Sequence, residues 1–215
     1  MLRALLFDLD GTLADTDALH MPTWADALRS YDIEVDEDFY KRRISGRRNP
    51  DIVEDLLPHL SEEEGRNIAD TKEADFRERA GELRSLPGLL DFIEEGRWRG
   101  LPIALVTNAP RENVGAILRG LGLEGRFDST VLAEEVGVGK PDPKPYRAAL
   151  ERLSIRAEEA IAFEDSTSGI ASAVEAGIPT VGVATTREPE KLREAGAFLV
   201  AEDFTNPEVW GLLDL

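Results

Sequence analysis

The chain has 215 residues, of which 42% are hydrophobic, so it can bury the core of one domain with a large insertion or of two modest domains. Its 43 acidic and 25 basic residues give a formal net charge of −18, which argues against nucleic acids and anionic membranes as partners, because both bind cationic surfaces. The absence of cysteine excludes disulfides, thiolate nucleophiles and zinc–thiolate sites.

The N-terminal residues run directly into an apolar segment that is too short for a signal peptide, and no stretch of the chain approaches the roughly 20 apolar residues of a membrane span. Together with the lack of cysteine, this pattern favours a cytoplasmic protein. We expect a monomer, because the chain shows no coiled-coil stripe and its surface is acidic.

Short apolar runs bounded by turn residues predict six buried parallel strands. They cover residues 4–9, 103–107, 129–132, 160–163, 180–183 and 197–200. Amphipathic patterns predict helices over residues 89–99, 111–121, 145–153, 169–176 and 188–195. Strand and helix thus alternate, which is typical of the α/β class with a Rossmann-like, doubly wound parallel sheet.

One stretch, residues 15–85, interrupts this alternation. It contains no convincing strand, and its patterns predict helices over residues 18–30, 37–44, 49–57 and 62–83. We therefore expect a helical cap domain over residues 16–85, inserted into a Rossmann-like core that is formed by residues 1–15 and 86–215.

Two carboxylates, Asp8 and Asp10, directly follow the first predicted strand, in the sequence Asp8-Leu9-Asp10-Gly11-Thr12. In an open parallel sheet, ligands bind beyond the carboxyl ends of the strands. A carboxylate pair in that position needs a cation or a shared proton. An isolated pair of this kind is more often an acidic surface turn, so the interpretation depends on partners elsewhere in the chain.

Later strand ends supply such partners. Thr107 and Asn108 offer a hydroxyl and an amide that suit phosphate oxygens, and Lys140 offers an ammonium in a loop stiffened by prolines. Glu164 and Asp165 form a second acidic pair. Each of these groups alone is more often structural, as a helix cap, an exposed loop lysine or a surface turn. Together they match the oxygen ligands that Mg²⁺ prefers and the charge that a phosphate requires.

In order and spacing, these residues resemble the haloacid dehalogenase-like phosphohydrolases over nearly the whole chain. The resemblance implies that Asp8 is a nucleophile that forms an aspartyl phosphate, and that Asp10 is the general acid and then the base. It implies Mg²⁺ bound by Asp8, by the Asp10 backbone carbonyl and by Asp165, with Glu164 as a ligand or next to the ligands. The phosphoryl group would be held by Thr107 and Lys140, with Asn108 as a further substrate contact. Dehalogenation is not expected, because the dehalogenases lack the second acid.

In the predicted cap, His20 and Trp24 resemble the sugar-phosphate branch of the family, which includes the β-phosphoglucomutases. The resemblance implies that His20 contacts Asp10. Packing of both side chains on one helix face is an equally good interpretation.

Candidate substrate contacts in the cap are His20 and Lys72, together with Arg47, Arg48 and Asn49, which lie in a basic turn. For Lys72, an exposed helical lysine is an equally good interpretation. The cap arginine with which a mutase grips a second phosphate would fall at Asn49, and this departure argues against a mutase. It does not exclude one, because Arg47 or Arg48 could take the place of that arginine.

We therefore predict a Mg²⁺-dependent phosphatase that acts on a small phosphorylated metabolite, expected to be a sugar phosphate. A phosphosugar mutase on the same fold is the alternative. A non-catalytic phospho-receiver or binding module is the alternative from another class. A receiver would be a single domain of about half this length, with its phosphorylated aspartate on a middle strand, which is not the pattern seen in this sequence.

Overall fold

The computed structural model describes residues 1–45 and 47–215, and its centre is a sheet of six parallel strands. The strands are β1 (Ala4–Phe7), β2 (Ile103–Thr107), β3 (Ser129–Leu132), β4 (Ala160–Glu164), β5 (Thr180–Val183) and β6 (Leu199–Ala201). They lie in the order β3-β2-β1-β4-β5-β6, which confirms the predicted doubly wound α/β fold. Strand β1 is central, since Leu6 pairs with Ala104 on one side and with Ala162 on the other.

Helices cover both faces of the sheet and form the insertion after β1. They are α1 (Asp17–Arg29), α2 (Glu37–Arg43), α3 (Asn49–Leu56), α4 (Glu62–Arg79), α5 (Leu89–Trp98), α6 (Arg111–Gly120), α7 (Ala133–Val136), α8 (Lys144–Leu153), α9 (Thr167–Glu175), α10 (Pro189–Glu194) and α11 (Pro207–Gly211). Short 3-10 helices cover Ala80–Glu82, Ala157–Glu159 and Leu212–Asp214. Among the described residues, no helix is both long enough and apolar enough to cross a membrane.

The bounds of β2, β3 and β5 are the predicted ones, whereas β6 begins two residues later than the apolar run suggests. The difference arises because the Ala197 backbone N–H donates to the Leu192 carbonyl and closes α10. Helix α7 and the helices after β6 are too short to give a periodic pattern, and the sequence analysis did not predict them.

Alternate residues of β1 face two apolar clusters. Leu5 and Phe7 pack with side chains of α5 and α6, while Ala4 and Leu6 pack with those of α8 and α9. Because both faces are covered, every residue of β1 is buried, which explains its uninterrupted apolar sequence.

The insertion has an apolar cluster of its own, which includes Trp24, Tyr40 and Ile52. At its two ends the chain segments pair with each other, since Ala14 forms a bridge with Ser85 and the Leu86 N–H donates to the Leu13 carbonyl at 2.9 Å. A separate core and adjoining ends are what an inserted domain requires. The division at residues 16–85 remains a prediction that these features support.

Two glycines on α6 provide a matched test of the contact between the insertion and the sheet core. A Cβ at Gly120 would lie 2.3 Å from the Ala80 carbonyl oxygen, whereas a Cβ at Gly115 would meet only the end of the Arg119 side chain at 3.4 Å. We predict that Gly120→Ala lowers the free energy of unfolding by about 2 kcal/mol, because the backbone must shift. Gly115→Ala should leave it unchanged or raise it by up to about 1 kcal/mol, as alanine does in a helix.

Urea unfolding of both variants beside the wild type measures this difference. Equal stabilisation by the two substitutions would mean that α6 and the Ala80 turn are not in close contact.

Candidate active site

The carboxyl edge of the sheet brings the predicted core residues together. Asp8 follows β1, Thr107 ends β2, and Asp165 follows β4, where Glu164 is the last residue of the strand. Asp8, Thr107 and Asp165 line a cavity of about 220 Å³. Because β1 lies between β2 and β4, its aspartate is placed between the hydroxyl on one side and the acidic pair on the other.

Three carboxylates form the centre of this site. Asp8, Glu164 and Asp165 are buried, and each offers one oxygen within 4.8 Å of the others. Burial, followed by the charge of Asp8, raises the pKa of Glu164 to about 7. Burial, with the charges of Asp8 and Glu164, holds the pKa of Asp165 well above its ordinary value. Burial is the larger cause of both shifts and mutual repulsion the second, and a cation bound among the carboxylates would oppose both effects.

The cluster fits Mg²⁺ by its chemistry, since all its donors are carboxylate oxygens and a hard divalent cation prefers oxygen ligands. Glu164 is the least available of the three carboxylates. Its Oε1 atom accepts hydrogen bonds from the buried Tyr146 hydroxyl and from the Lys140 ammonium, both at 2.5 Å. Asp8 and Asp165 are therefore the better candidates to hold the ion, with Glu164 supporting them.

Lys140 supplies the positive charge within the site. Its side chain is 3% exposed, and Nζ donates to Asp8 Oδ1 at 2.6 Å and to the Val106 carbonyl at 2.7 Å. Burial alone would lower the pKa of this lysine, but Asp8 and Glu164 outweigh it and raise the pKa above its ordinary value. The ammonium therefore remains charged over the whole range in which proteins are stable.

Asp10 lies in a different environment from Asp8. It lines the cavity but is largely surrounded by protein. Desolvation by that protein, together with the charge of Asp8, raises the pKa of Asp10 to about 7, although a hydrogen bond from Thr16 opposes the shift. A carboxyl group with this pKa can both give and take a proton near neutral pH, which is what an acid–base catalyst requires.

Asn108 holds the loop that carries Lys140. Its Oδ1 accepts from the Lys140 backbone N–H at 2.9 Å, and its Nδ2 donates to the Lys140 carbonyl at 3.3 Å. Thr107 is 1% exposed, and its hydroxyl oxygen accepts from the Ala109 N–H at 2.9 Å, which leaves the hydroxyl proton free to be donated. In this arrangement, Thr107 faces the cavity as a donor and Asn108 positions the lysine.

Gly11 is required by the close approach of the loop after β1 to Asp165. Its φ is +72°, in the left-handed region, and a Cβ there would lie 2.2 Å from Asp165 Oδ2. No other residue would leave both the turn and the carboxylate in place.

Comparison with known proteins identifies the family of this chain. A family model of the haloacid dehalogenase-like hydrolases matches residues 2–177. The chain belongs to this family. A phosphorylated carbohydrates phosphatase of Thermotoga maritima is 34% identical over 207 residues, which cover 91% of this chain and 92% of the relative.

A validoxylamine A 7'-phosphate phosphatase of Streptomyces hygroscopicus subsp. limoneus is 32% identical and covers 93% of both chains. The crystal structure of CbbY from Rhodobacter sphaeroides in complex with phosphate superposes with a TM-score of 0.86, at 28% identity and over 100% of both chains. By its family and its relatives, this hydrolase is a phosphoric monoester hydrolase.

The predicted cap residues of this hydrolase are not among those that line the described cavity, in contrast to most of the predicted core residues. His20 Nδ1 accepts from the Lys72 ammonium at 2.7 Å, and the His20 ring stacks on Phe76 at 4.0 Å between centroids. His20 thus makes its side-chain hydrogen bond with Lys72, and neither residue lines the cavity that holds Asp10. Lys72 is 2% exposed, so it is not the surface lysine that was the alternative interpretation.

Glu73 connects Lys72 to both parts of the molecule. Its Oε1 accepts from Lys72 Nζ at 2.9 Å and from Asn49 Nδ2 at 2.6 Å, and its Oε2 accepts from Asn113 Nδ2 on α6 at 2.6 Å. Burial would raise the pKa of Glu73, but Lys72 and the two amides outweigh it and lower the pKa to about 2. The Asn49 side chain is therefore engaged by Glu73 and is not among the residues that line the described cavity of Asp8.

The basic turn is neutralised by acidic neighbours. Arg47 Nη1 pairs with Asp55 at 2.7 Å, and Arg48 Nη2 pairs with Asp51 at 2.7 Å. Neither arginine lines the cavity, and both are exposed. Gly46, between this turn and Ser45, lies outside the described residues.

Several residues that the sequence analysis did not single out line the cavity. From the cap come Thr16, Asp17 and Ser45, and from the core come Ser166, Ser168, Thr186 and Arg187. The rule that found Asp8 and Asp165, a polar residue at a strand's carboxyl end, would also have found the loop after β5. Asp17 is fixed by the hydroxyls of Tyr40 at 2.6 Å and Ser45 at 3.0 Å, and no local pattern reveals these contacts.

The buried His20 predicts a loss of stability in acid. Burial, with the charge of Lys72, lowers the pKa of His20 from 6.5 to about 3, so the unfolded chain binds the proton first as the pH falls. The contribution of His20 to stability is therefore complete above about pH 6.5 and declines between that pH and about 3. We expect the free energy of unfolding to be about 2 kcal/mol lower at pH 5 than at pH 7.5 through this residue.

Urea unfolding at the two pH values in the wild type and in His20→Asn, which keeps an acceptor for Lys72, checks this. The raised pKa values of Asp10 and Glu164 act in the opposite sense in both proteins, so the change from pH 7.5 to pH 5 should be about 2 kcal/mol more favourable in His20→Asn than in the wild type. His59→Asn replaces an exposed histidine of the cap and serves as the matched control. An unchanged pH dependence in His20→Asn would show that other groups cause it.

Proposed function

We propose that this hydrolase is a Mg²⁺-dependent phosphatase of small phosphorylated sugars that acts through an aspartyl phosphate on Asp8. The observation that carries the proposal is the unequal environment of two neighbouring carboxylates. Asp8 is ion-paired to Lys140 at 2.6 Å, while burial raises the pKa of Asp10 to about 7. Environments that differ in this way suit a nucleophile beside an acid–base catalyst.

In the first step, a carboxylate oxygen of Asp8 attacks phosphorus while the bond from phosphorus to the sugar oxygen breaks. Asp10 donates its proton to that oxygen, so the sugar leaves as a neutral alcohol. Lys140 and the Thr107 hydroxyl hold the phosphoryl oxygens. In the second step, Asp10 takes a proton from water, which attacks phosphorus and releases phosphate from Asp8.

Asp8 and Asp165 would hold Mg²⁺, with Glu164 beside them, and the Asp10 backbone carbonyl is a further candidate ligand. The ion would offset the negative charge that the phosphoryl oxygens carry into an acidic site. Lys140 also offsets that charge, and because it pairs with both Asp8 and Glu164, it reduces the repulsion between the acidic cluster and the substrate.

Water is a better acceptor than a second sugar phosphate in this site. A mutase needs a cap group that grips a second phosphate, but Asn49 is engaged with Glu73, and Arg47 and Arg48 are paired with aspartates. These contacts support hydrolysis over transfer. The alternative of a binding module without catalysis is disfavoured, because all the residues of the reaction are present in the sequence.

A small hydroxyl-bearing substrate is supported by the cavity. Its volume of about 220 Å³ is below the roughly 300–1,000 Å³ of drug-sized sites, and Asp17 and Ser45 present polar atoms from the cap. The relatives named above act on phosphorylated carbohydrates and on validoxylamine A 7'-phosphate. We place this activity in a cytoplasmic monomer, which the lack of cysteine and the acidic surface support.

The mechanism predicts that Asp8→Asn lowers kcat by at least about 10³-fold and that Asp10→Asn lowers it by about 10²-fold or more, since these changes remove the nucleophile and the proton carrier. Release of phosphate from p-nitrophenyl phosphate and from a panel of sugar phosphates, with Mg²⁺ and with EDTA, measures both effects. EDTA should abolish turnover in the wild type.

Asp15→Asn is the matched control, because Asp15 is an exposed carboxylate in the same loop whose side chain only accepts from the Ala18 N–H. Turnover that persists in Asp8→Asn, or that is independent of metal, would refute the mechanism. Formation of a sugar phosphate isomer without free phosphate would favour the mutase.

A further inference from the structure

Arg187 is a cation that the proposed reaction does not use. It lies in the loop after β5, and with Lys140 it supplies the two cationic side chains among the described residues that line the cavity of Asp8. The ammonium of Lys140 is already paired with Asp8 and Glu164. Among the residues that the structure describes, the Arg187 side chain has no carboxylate partner and makes only a long hydrogen bond, from Nη1 to the neighbouring Thr186 carbonyl at 3.4 Å.

This lack of a carboxylate partner is unusual in so acidic a chain. With 43 acidic residues against 25 basic ones, most arginines of the described chain pair with a nearby aspartate or glutamate, as Arg47 and Arg48 do. Arg187 is half-buried, so it has also given up part of its hydration. A partly desolvated guanidinium with free donors is suited to bind an anion.

The position of Arg187 separates it from the reacting phosphate. Strand β5 lies two strands from β1, which at roughly 4.8 Å for each strand is about 10 Å across the sheet edge. Arg187 also lines a second cavity of about 810 Å³, beside the first, whereas Asp8 lines only the first. Arg187 thus lines the side of the first cavity that adjoins the second, at the sheet edge two strands from Asp8.

The loop that carries Arg187 is fixed to the sheet core. The Ala184 N–H donates to the Ala201 carbonyl at 2.8 Å, and the Thr186 hydroxyl bonds to the Asp165 side chain. Thr186 thereby ties the residue next to Arg187 to the acidic cluster. Because both ends of the site are built on the core, the distance between them is set by the sheet.

The geometry points to Arg187 as a specificity-determining residue that binds a second anionic group, at the far end of the substrate. This inference rests on the proposed phosphatase function and narrows its substrates to phosphomonoesters that carry a further phosphate or a carboxylate. Both groups present two oxygens to the planar guanidinium, so they share one recognition chemistry.

Two substrate pairs that differ by one anion test the inference. Fructose 1,6-bisphosphate is compared with fructose 6-phosphate, and 6-phosphogluconate with glucose 6-phosphate. In the wild type, kcat/KM should favour the doubly anionic member of at least one pair. Arg187→Gln should lower that ratio by about tenfold to a hundredfold, the effect of losing a charged hydrogen bond. Arg187→Lys keeps the charge but loses the planar pair of guanidinium N–H donors, so it should give an intermediate ratio.

Lys191→Gln is the matched control, since Lys191 lines only the second cavity and pairs with Glu194 at 2.9 Å. It removes the same charge from the same side of the molecule and should leave the ratios unchanged. If Arg187→Gln loses the preference only in the fructose pair, the second anion is a phosphate. If it loses the preference only in the pair with 6-phosphogluconate, the second anion is a carboxylate. Loss in both pairs means that Arg187 accepts either anion. An equal fall of kcat/KM for both members of each pair would overturn the inference, because Arg187 would then contact the reacting phosphate.

Calorimetric titration of the same pairs in the Asp8→Asn background measures binding without turnover. There, too, Arg187→Gln should weaken binding of the doubly anionic member by about tenfold or more. If the wild type released no phosphate but this binding difference were found, the proposed function would fail and the anion site would stand. If phosphate were released but neither the ratios nor the binding changed, the anion site would fail alone.

Discussion

The buried ammonium of Lys140 is the interaction on which the site depends. It comes from the loop before α8 and joins Asp8, after β1, to Glu164, at the end of β4. Without it, three carboxylates would face one another with no compensating charge from the protein. Removing one partner of such a buried group leaves an uncompensated charge, which costs roughly 3–5 kcal/mol. The site therefore depends on long-range charge pairing, and one ammonium compensates only part of the negative charge. The remainder is what a divalent cation would balance.

The position of β1 explains why this pairing can form. As the central strand, it has β2 on one side and β4 on the other, so a residue just after it can reach groups from both neighbours. Asp8 accordingly lies between Thr107 and Glu164, and the Lys140 ammonium donates both to Asp8 and to the Val106 carbonyl on β2. Asp10 lies two residues further along the chain, beyond the end of the strand. Asp8 is held in an ion pair with Lys140, whereas the Asp10 carboxyl group is desolvated by the surrounding protein and has no such pair. A two-residue spacing thus separates two different kinds of carboxylate.

The sequence alone was enough to predict the fold and the core of the site, because both follow from short-range patterns. Apolar runs marked the strands, and a polar residue at the end of a parallel strand must lie at one edge of the sheet. The cap contacts could not be predicted in this way. Arg47 and Lys72 have long side chains whose direction is set by partners in other elements, here Asp55 and His20, and no local pattern reveals these contacts. The catalytic roles themselves remain predictions, which geometry and relatives support.

The polar network of the cap bears on how the two parts of the molecule can separate. The charges of Lys72 and Glu73 compensate each other within α4, and His20 is neutral, so the network carries its own counterions. Across the boundary, Glu73 is held by the uncharged amide of Asn113. The ion pair that crosses nearby, Arg77 with Glu112 at 3.5 Å, is largely solvated at the glutamate and contributes little. Moving α4 away from α6 would therefore cost hydrogen bonds but would separate no buried opposite charges. The anion site at Arg187 stays with the core in such a motion, so selection of the substrate's charge would not depend on whether the cap is closed.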